Sequence, residues 1–322
     1  MSENHDRNGC ASAASAASAA EIEALIKTVG VFRVLFLEKV TSTNTALREM
    51  AAAGAPEGCV LVAEEQTAGK GRQGRQFHSP ASHGVYFSLL LRPAFNTRDA
   101  LLITPAAAVA TALAIGEVYG VHVGIKWVND LLVEGKKVCG ILTETVIGTE
   151  TGLIESAILG IGINITKPEE GYPRDIADIA AALTDSSGGG KAVKTLRNVT
   201  TYSKMQDEKG VDKRCRLIAA ILDNFWAYYQ SITHRGIANR EHGDGDGTGT
   251  GDDKTHHFLQ EYRARSIVTG RDIYIISGES KRPAKALAVD DDCCLVVEYD
   301  DGTTEALSSG EVSVRTKENY ES

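Results

Sequence analysis

Residues 59–92, CVLVAEEQTAGKGRQGRQFHSPASHGVYFSLLLR, hold the arrangement that decides the fold. The apolar segments CVLVAEEQ and GVYFSLLL have the composition of β-strands, and Pro93 ends the second of them. The loop between them, AGKGRQGRQF at residues 68–77, combines three glycines in a G-x-G-x-x-G pattern with three cationic side chains. The sequence therefore predicts two strands joined by a glycine-rich, positively charged loop.

Two common interpretations of such a loop are disfavoured. A dinucleotide-binding turn needs its glycines to open a helix, whereas Pro80 and Gly84 interrupt any helical period here and a strand follows. The loop also lacks the G-K-[ST] ending of a Walker A motif. A nucleic-acid patch is disfavoured because three cations without interleaved aromatic residues give a small footprint in a net acidic chain.

Two interpretations of the loop remain. It is either a solvated hairpin loop or a mobile loop that closes over a small phosphorylated ligand. Glycines allow backbone N–H groups to approach such a ligand, and arginine offers forked donors for phosphate or carboxylate oxygens.

Further elements are predicted on both sides of this unit. FRVLFLEKV predicts a strand, and TSTNTALREMAAAG predicts a helix capped near Ser42 or Thr43. TPAAAVATALAIGEVYG predicts a second helix, with Thr104 as its N-cap and Gly120 as its stop. Apolar residues that recur every four positions over residues 217–229 predict an amphipathic helix that packs on the sheet.

The composition limits the class of protein. The 322 residues carry a formal net charge of −9, which disfavours DNA and anionic membranes as partners. Six scattered cysteines without C-x-x-C spacing indicate a reducing compartment, so we expect a cytoplasmic protein. No apolar run reaches the length of about 18 residues that a transmembrane helix needs.

Five short motifs, each at a predicted strand end or turn, follow one another in a fixed order. They are TSTN at 41–44, EEQTAGKGRQGR at 64–75, KWVND at 126–130, GKKVCGILTE at 135–144 and GIGIN at 160–164. With these motifs the chain resembles the biotin protein ligase (holocarboxylase synthetase) family, in its monofunctional form without a DNA-binding domain. The resemblance covers roughly residues 36–166, the helix at 214–233 and the terminal LSSGEVSVR.

The resemblance implies an α+β fold with two folded parts. The first is a mixed-sheet catalytic domain of the class II synthetase-like biotin ligase type, and the second is a small SH3-like β-barrel. The predicted divisions are a disordered tail at 1–20, the catalytic domain at 21–264 with loose insertions at about 185–213 and 235–256, and the barrel at 265–322.

The implied reaction has two steps, with ATP and biotin as substrates and Mg²⁺ as the counter-ion of ATP. The biotin carboxylate attacks the α-phosphate of ATP to give biotinyl-5′-AMP, and a lysine of a biotin carboxyl carrier domain then attacks this mixed anhydride. Both steps bring anions together, so the site needs fixed cations and N–H donors. The implied partners are carrier domains of biotin-dependent carboxylases, and the resemblance also allows a homodimer.

Two residues are predicted to be catalytic. Arg72, in the family's glycine-rich loop, is expected to bind the carboxylate and the phosphate. Lys137 matches the family's essential lysine between these two groups, whereas Lys136 is expected to point away into solvent. Phe77, where the family often has tryptophan, is expected to close over the ligand.

The other site residues follow from the same resemblance. The predicted ATP-binding residues are Arg72, Arg75, Lys126, Asn129, Lys137 and Asn164. The predicted biotin-binding residues are Ser42, Thr43, Gln66, Gly69, Lys70, Arg72, Lys137, Gly140, Gly160 and Gly162. The side chains of Ser42, Thr43 and Gln66 suit the ureido head of biotin, and the last three glycines are expected to leave room for its rings and chain.

Some positions in these motifs allow another role. Val128 stands where the family has proline, and because valine does not fix φ, a looser turn is expected there. Asp130 suits either a ligand contact or a turn cap, and Trp127 is expected in the core. His78 and His83 lack partners at metal-ligand spacing, so neither is predicted to bind a metal, and the metal ligands stay unassigned.

Other functions remain as alternatives. A lipoate ligase or octanoyltransferase has a related fold and related acyl chemistry. A biotin-operon repressor would add an N-terminal DNA-binding helix-turn-helix, for which residues 1–35 offer at most one helix. A biotin-binding regulatory pseudoenzyme is disfavoured by the presence of Arg72 and Lys137.

Overall fold

A computed structural model describes residues 13–93, 95–185, 211–242, 253–277, 280–308 and 313–316. Six α-helices and twelve strands are found in these residues. The helices are α1 (Ala13–Leu25), α2 (Thr43–Ala52), α3 (Thr97–Ala100), α4 (Ile103–Tyr119), α5 (Lys213–His242) and α6 (Asp253–Arg265). The strands are β1 (Arg33–Val40), β2 (Cys59–Gln66), β3 (Gly84–Leu91), β4 (Gly124–Lys126), β5 (Asp130–Val133), β6 (Lys136–Ile147), β7 (Ile154–Asn164), β8 (Asp272–Ser277), β9 (Ser280–Val289), β10 (Leu295–Tyr299), β11 (Thr304–Leu307) and β12 (Ser313–Thr316).

The first seven strands form one mixed sheet in the order β1-β2-β3-β7-β6-β5-β4. Only β1 and β2 pair in parallel, and the remaining ladders of this sheet are antiparallel. The predicted α+β fold with a mixed main sheet is therefore confirmed.

The side chains of β2 alternate between two apolar layers, as the period of a strand requires. Val60 and Val62 belong to the large core that contains α4 and α5, whereas Cys59 and Leu61 belong to a smaller cluster under α2. The sheet is thus covered on one face by the large helical layer. The other face carries α2 and leaves open the surface of β6 and β7.

Helix α4 is the central helix of the large layer. It has a mostly buried surface and ends at Gly120, whose φ of 67° places it in the left-handed region that favours glycine. By length and composition the stretch Thr97–Tyr119 is apolar enough to cross a membrane, but 72% of its apolar 18-residue window is buried within the fold, as in the core helix of a globular protein.

The last five strands form a separate antiparallel sheet in the order β11-β10-β9-β8-β12. This sheet contacts the first one close to the KWVND turn. The Trp127 Nε1–H donates a hydrogen bond of 2.8 Å to the carbonyl of Cys293, and Trp127 is 4% exposed, so its predicted place in the core is confirmed. Arg263 on α6 donates to the carbonyl of Val289 and pairs with Asp291.

Several predictions about element boundaries were wrong. Residues 13–20, predicted as part of the disordered tail, begin α1. Residues 235–242 and 253–256, predicted as part of a loose insertion, belong to α5 and α6. The rest of that tail and most of the two insertions, residues 1–12, 186–210 and 243–252, lie outside the described residues.

Two details of the helices also differ from the prediction. Thr104 is not the N-cap of α4, because the helix begins at Ile103 and the Thr104 hydroxyl bonds the Thr143 hydroxyl at 2.7 Å. Helix α5 has the predicted apolar periodicity, yet it packs mainly on α4 and α1, with fewer contacts to β3 and an ion pair from Arg214 to Glu64 on β2. A long apolar helix can satisfy the same periodicity by packing on helices.

Candidate active site

A narrow cleft opens on the face of the sheet that carries α2. Its floor is formed by β6 and β7, one end by the start of α2 and the end of β2, and the roof by the loop after β2. The lining residues are Ser42, Thr43, Asn44, Gln66, Lys70, Gly71, Arg72, Phe77, Phe87, Asn129, Lys137, Gly140, Ile141, Leu142, Gly160, Ile161 and Gly162. Residues from all five sequence motifs thus meet at one cleft.

Residues 69–77 form the roof, here called the flap. The flap is closed by short backbone hydrogen bonds, from Gly71 N–H to the Arg75 carbonyl at 2.7 Å and from Phe77 N–H to the Gly69 carbonyl at 2.8 Å. Its tip is a single 3₁₀ turn over Arg72–Gly74, with φ of 73° at Gly74. The flap is therefore a folded hairpin, and the glycine at its tip adopts a conformation that other residues rarely reach.

Arg72 extends from the flap into the cleft. Its Nη1 donates a 3.0 Å hydrogen bond to Oδ1 of Asn129, whereas its buried Nη2 has no hydrogen-bond partner among the described residues. Burial lowers the pKa of the guanidinium, and the nearby Asp130 carboxylate partly offsets this effect. A buried cationic donor without a partner is costly unless an anion completes it, so this geometry fits an anionic ligand.

Lys137 reaches the same cleft from β6. Its ammonium lies 2.7 Å from the Asp130 carboxylate and 5.9 Å from the centroid of the Phe77 ring. Asp130 therefore starts β5 and pairs with Lys137, and no cap bond from it was found in the described residues. Lys136 is exposed, as predicted.

Asn129 is fixed by backbone bonds to the adjacent strand. Its Nδ2 donates to the carbonyl of Ile141 at 2.9 Å, and its own carbonyl accepts from Ile141 N–H at 3.0 Å. The preceding turn contains a cis peptide bond between Trp127 and Val128, and the carbonyl of Val128 accepts from the Tyr262 hydroxyl at 3.1 Å. Val128 is 2% exposed, so this turn is packed rather than loose, contrary to the expectation for valine.

The end of the cleft beside α2 is polar. Oε1 of Gln66 accepts from the Thr43 N–H at 2.9 Å, and its Nε2 donates to Ser79 Oγ at 3.0 Å. Ser42 occupies the N-cap position of α2 but makes no side-chain cap bond, and it is 2% exposed. The predicted N-cap position at Ser42 is therefore confirmed without a side-chain cap bond, and Ser42 lines the cleft with Thr43 and Gln66.

The glycines of the site make room mainly for protein side chains. A Cβ on Gly162 would lie 2.6 Å from the Phe77 ring, and one on Gly140 would lie 3.0 Å from the Lys137 ammonium. A Cβ on Gly69 would meet the Phe77 carbonyl at 2.4 Å. Phe77 and Lys137 thus occupy the space beside Gly162 and Gly140, while both glycines line the cleft, and their role in making room for biotin stays a prediction.

Gly160 provides a direct test of this packing. A Cβ there would lie 2.1 Å from Asn44 Oδ1, and Asn44 is 4% exposed. Gly160→Ala should therefore displace Asn44 and lower the free energy of unfolding by about 1–3 kcal/mol, as overpacking does. Urea unfolding measures this change. Gly116→Ala is the control, because its Cβ would meet nothing closer than 3.9 Å; equal stability of both variants would contradict the close contact.

Three predicted ATP-binding residues do not line the cleft. Arg75 is exposed on the outside of the flap, and Lys126 is half-buried on β4. Asn164 is buried at the end of β7, where its Nδ2 donates to the Ala181 carbonyl at 3.1 Å. Sequence motifs place residues at strand ends, but they do not tell which face of the backbone each side chain takes.

Three polar residues of the site were not predicted. Asn44 lines the cleft beside Thr43, and the buried Ser88 on β3 and the half-buried Glu144 on β6 bond to it. Asn44 and Glu144 stand within the TSTN and GKKVCGILTE motifs, so the motifs themselves were a signal for them. Ser88 lies in an apolar strand, and only its interruption of that apolar run could have indicated a buried hydrogen bond.

His78 and His83, for which no metal role was predicted, are not among the residues that line the cleft. His83 Nδ1 contacts Thr166 Oγ1 at 3.0 Å, and burial lowers the pKa of His78. Within the described part of the chain there is no group of three or more His, Cys, Asp or Glu side chains able to hold a metal ion.

Residues 36–164 match the model of the "Biotin/lipoate A/B protein ligase family", and residues 270–315 match the "Biotin protein ligase C terminal domain". The chain is thus similar to the biotin/lipoate protein ligase family over its mixed sheet and to biotin protein ligases over its C-terminal sheet.

Similar proteins agree with this assignment. The bifunctional ligase/repressor BirA of Bacillus subtilis is 40% identical over 155 residues, which cover 48% of this chain and 47% of that protein. The biotin–[acetyl-CoA-carboxylase] ligase of Mycobacterium tuberculosis is 35% identical over 152 residues, which cover 45% and 54% of the two chains. The chain thus aligns with about half the length of these curated relatives.

The fold is that of a solved biotin protein ligase. The Aquifex aeolicus enzyme, in complex with biotin and ATP, superposes with a TM-score of 0.62 at 24% identity, and the alignment covers 88% of this chain and 99% of that one. At this level of identity the likeness concerns the fold, and it extends through both sheets.

Proposed function

We propose that this protein ligates biotin to a lysine of biotin carboxyl carrier domains in two steps, through biotinyl-5′-AMP. The observation that carries the proposal is the buried Nη2 of Arg72, which has no partner among the described residues. Asn129 holds the same guanidinium through Nη1, and Lys137 lines the same cleft. Two cations from opposite walls fit a ligand that brings two anionic groups together. Relatives named biotin–[acetyl-CoA-carboxylase] ligase support the same activity.

In the first step, one oxygen of the biotin carboxylate attacks the α-phosphorus of ATP and pyrophosphate leaves. Arg72 and Lys137 lower the repulsion between the two anions and stabilise the charge that grows on the phosphoryl oxygens. Lys137 must then exchange its Asp130 partner, 2.7 Å away, for the ligand. Before the ligand binds, the Asp130 carboxylate neutralises the Lys137 ammonium in the cleft.

In the second step, the neutral amine of a carrier lysine attacks the carbonyl carbon of the mixed anhydride. An amide bond forms, AMP leaves and the amine loses a proton. The flap over the cleft would shield the anhydride from water between the two steps. A water-accessible anhydride would hydrolyse to biotin and AMP and waste ATP.

The polar end of the cleft suits the ureido head of biotin. Ser42, Thr43 and Gln66 provide both donors and acceptors there, and a site built this way rejects ligands without matching groups. Lipoyl and octanoyl chains have no such head. This difference favours biotin over the related lipoate ligase or octanoyltransferase activities.

Several finer points belong to the same proposal. Mg²⁺ would enter with ATP and be held largely by phosphates and water, as this ion usually is. The net charge of −9 argues against DNA as a partner, and a homodimer remains compatible with the family. A cytoplasmic location agrees with the five cysteines of the described residues, which are free thiols.

The proposal is tested by mixing the full chain with Mg-ATP, labelled biotin and a purified biotin carboxyl carrier domain. We expect label on the carrier lysine, with one AMP and one pyrophosphate formed for each biotin transferred. The matched control is the carrier domain with this lysine changed to arginine, which should stay unlabelled. Transfer of octanoyl or lipoyl groups, but not of biotin, would support the alternative activity.

A further inference from the structure

One carboxylate outside the proposed catalytic pair connects the flap to the wall of the cleft. Glu144 lies on β6, and its side chain is 21% exposed. Its Oε2 accepts from Asn44 Nδ2 at 2.8 Å, and its Oε1 contacts Arg48 and lies 3.6 Å from the Lys70 ammonium. Asn44 and Arg48 belong to α2, whereas Lys70 belongs to the flap, so a single side chain joins the two.

A chain of short polar contacts continues from Asn44 into the cleft. The Ser88 hydroxyl lies 2.6 Å from Asn44 Oδ1 and 2.7 Å from the Thr43 hydroxyl, which in turn lies 3.1 Å from Gln66 Oε1. Ser88 is fully buried and Thr43 is 3% exposed, so water does not compete for these bonds. The chain runs from Glu144 to the polar end of the cleft.

Hydrogen counting fixes the direction of this chain. A carboxylate can only accept hydrogen bonds, so the NH₂ group of Asn44 must face Glu144. The amide oxygen Oδ1 of Asn44 therefore faces Ser88. Ser88 has one hydroxyl hydrogen, and Asn44 Oδ1 at 2.6 Å needs it. The 2.7 Å contact between the two hydroxyls is too short for two bare acceptors, so it requires the hydrogen of Thr43, which is then not available to Gln66 Oε1 at 3.1 Å. Thr43 Oγ1 is consequently left as an acceptor.

The other end of the chain is fixed independently. The Phe77 carbonyl takes the Ser79 hydrogen at 2.9 Å, so Ser79 must accept from Gln66 Nε2 at 3.0 Å. Gln66 Oε1 therefore faces Thr43, where the Thr43 N–H satisfies it at 2.9 Å. The two oxygens of Gln66 and Thr43 thus stand together as acceptors, which suits a ligand head that carries N–H donors.

We propose that Glu144 is a positioning residue with two tasks: it holds the flap through Lys70, and it orients the Thr43 hydroxyl as an acceptor through Asn44 and Ser88. This inference deepens the proposed function and rests on it for the identity of the ligand. Glutamine at this position would keep the shape but present both a donor and an acceptor, so it would no longer dictate either task.

The test compares the wild type, Glu144→Gln, Lys70→Met and the double variant in two measurements. The first is the rate at which trypsin cleaves after Arg75 in the flap of the ligand-free protein, followed by mass spectrometry. We expect both single variants to be cleaved about three- to fivefold faster, the size expected for a partly exposed ion pair. The double variant should be cleaved no faster than Glu144→Gln.

The second measurement is the dissociation constant for biotin by calorimetry. Glu144→Gln should raise it about tenfold, equivalent to about 1.4 kcal/mol. The matched control is Glu65→Gln, which removes a carboxylate paired with Lys39 at 2.8 Å outside the cleft and should leave both measurements unchanged. Circular dichroism confirms that each variant is folded.

The outcomes separate this inference from the proposed function. Cleavage and affinity of Glu144→Gln equal to those of Glu65→Gln would overturn the inference, as would additive effects of Glu144→Gln and Lys70→Met on cleavage. A wild type that does not bind biotin would instead contradict the proposed function. The cleavage measurement needs no ligand, so it decides the flap task in either case.

Discussion

Replacing Arg72 with alanine is expected to slow formation of biotinyl-AMP by about 100- to 1000-fold, the usual effect of removing a preorganised donor to a developing anion. The buried Nη2 of Arg72 is the donor in the cleft that lacks a partner among the described residues, so it is the group a phosphate or carboxylate would complete. The rate is measured in a single turnover by following pyrophosphate release. The intermediate should also leak faster, because Arg72 ties the flap to Asn129 at 3.0 Å.

Two further variants show whether this effect comes from the forked donor. Arg72→Lys keeps the charge but loses the second N–H group, so its rate should fall between those of the wild type and the alanine variant. Gln76→Ala, which changes an exposed side chain of the same flap, should leave the rate within about twofold, as most surface substitutions do. Unchanged pyrophosphate release and unchanged leakage in Arg72→Ala would refute the assignment of the flap.

Replacing Lys137 with alanine is expected to reduce adenylation by about 1000-fold, at the upper end of the range for such groups. The loss has two parts, because removal of the ammonium also leaves the Asp130 carboxylate, now 2.7 Å from it, without its partner beside the incoming phosphates. The same single-turnover assay measures the rate. The adenylation rate of Lys137→Ala should therefore fall further than the loss of the ammonium alone would explain, because the unpaired Asp130 carboxylate repels the phosphates.

The fold of this variant should survive. The Lys137 side chain is 33% exposed and that of Asp130 is 25% exposed, and a pair of this kind contributes only about 1 kcal/mol or less to stability. Lys136→Ala is the matched control, since its side chain points to solvent from the adjacent position. A near-normal adenylation rate of Lys137→Ala, with an unchanged thermal midpoint of unfolding, would show that another residue supplies the catalytic cation.

Much of the fold could be predicted because its signals are local. Continuous apolar runs define β2 and β3, and Gly120 supplies the left-handed residue at which α4 ends. The boundaries of α1 and α5 could not be predicted in this way. Ala and Ser repeats and polar residues fit a helix as well as a disordered segment, and the contacts of α1 with β1 and α5 decide between the two.

In the site, too, some features could be predicted from the sequence and others could not. Motifs brought Arg72, Lys137, Gln66 and Thr43 to one cleft, because strand ends that share an edge of a sheet converge. The burial of Arg72 Nη2 and the pairing of Lys137 with Asp130 depend on side-chain directions that a motif does not specify. Arg75 shows the limit most plainly, since it occupies the expected motif position and yet lies outside the cleft.

The hydrogen bond from the Trp127 indole to the Cys293 carbonyl has a consequence for anyone who shortens this protein. A version that stops before the second sheet would remove the acceptor of this indole N–H and expose that side of Trp127 to water, two residues from the asparagine that holds the flap arginine. Such a truncate would keep every residue of the cleft and still present them poorly aligned. The small sheet therefore supports the turn at residues 126–130 from behind. Its removal should lower the turnover rate although no residue that contacts the ligand is changed.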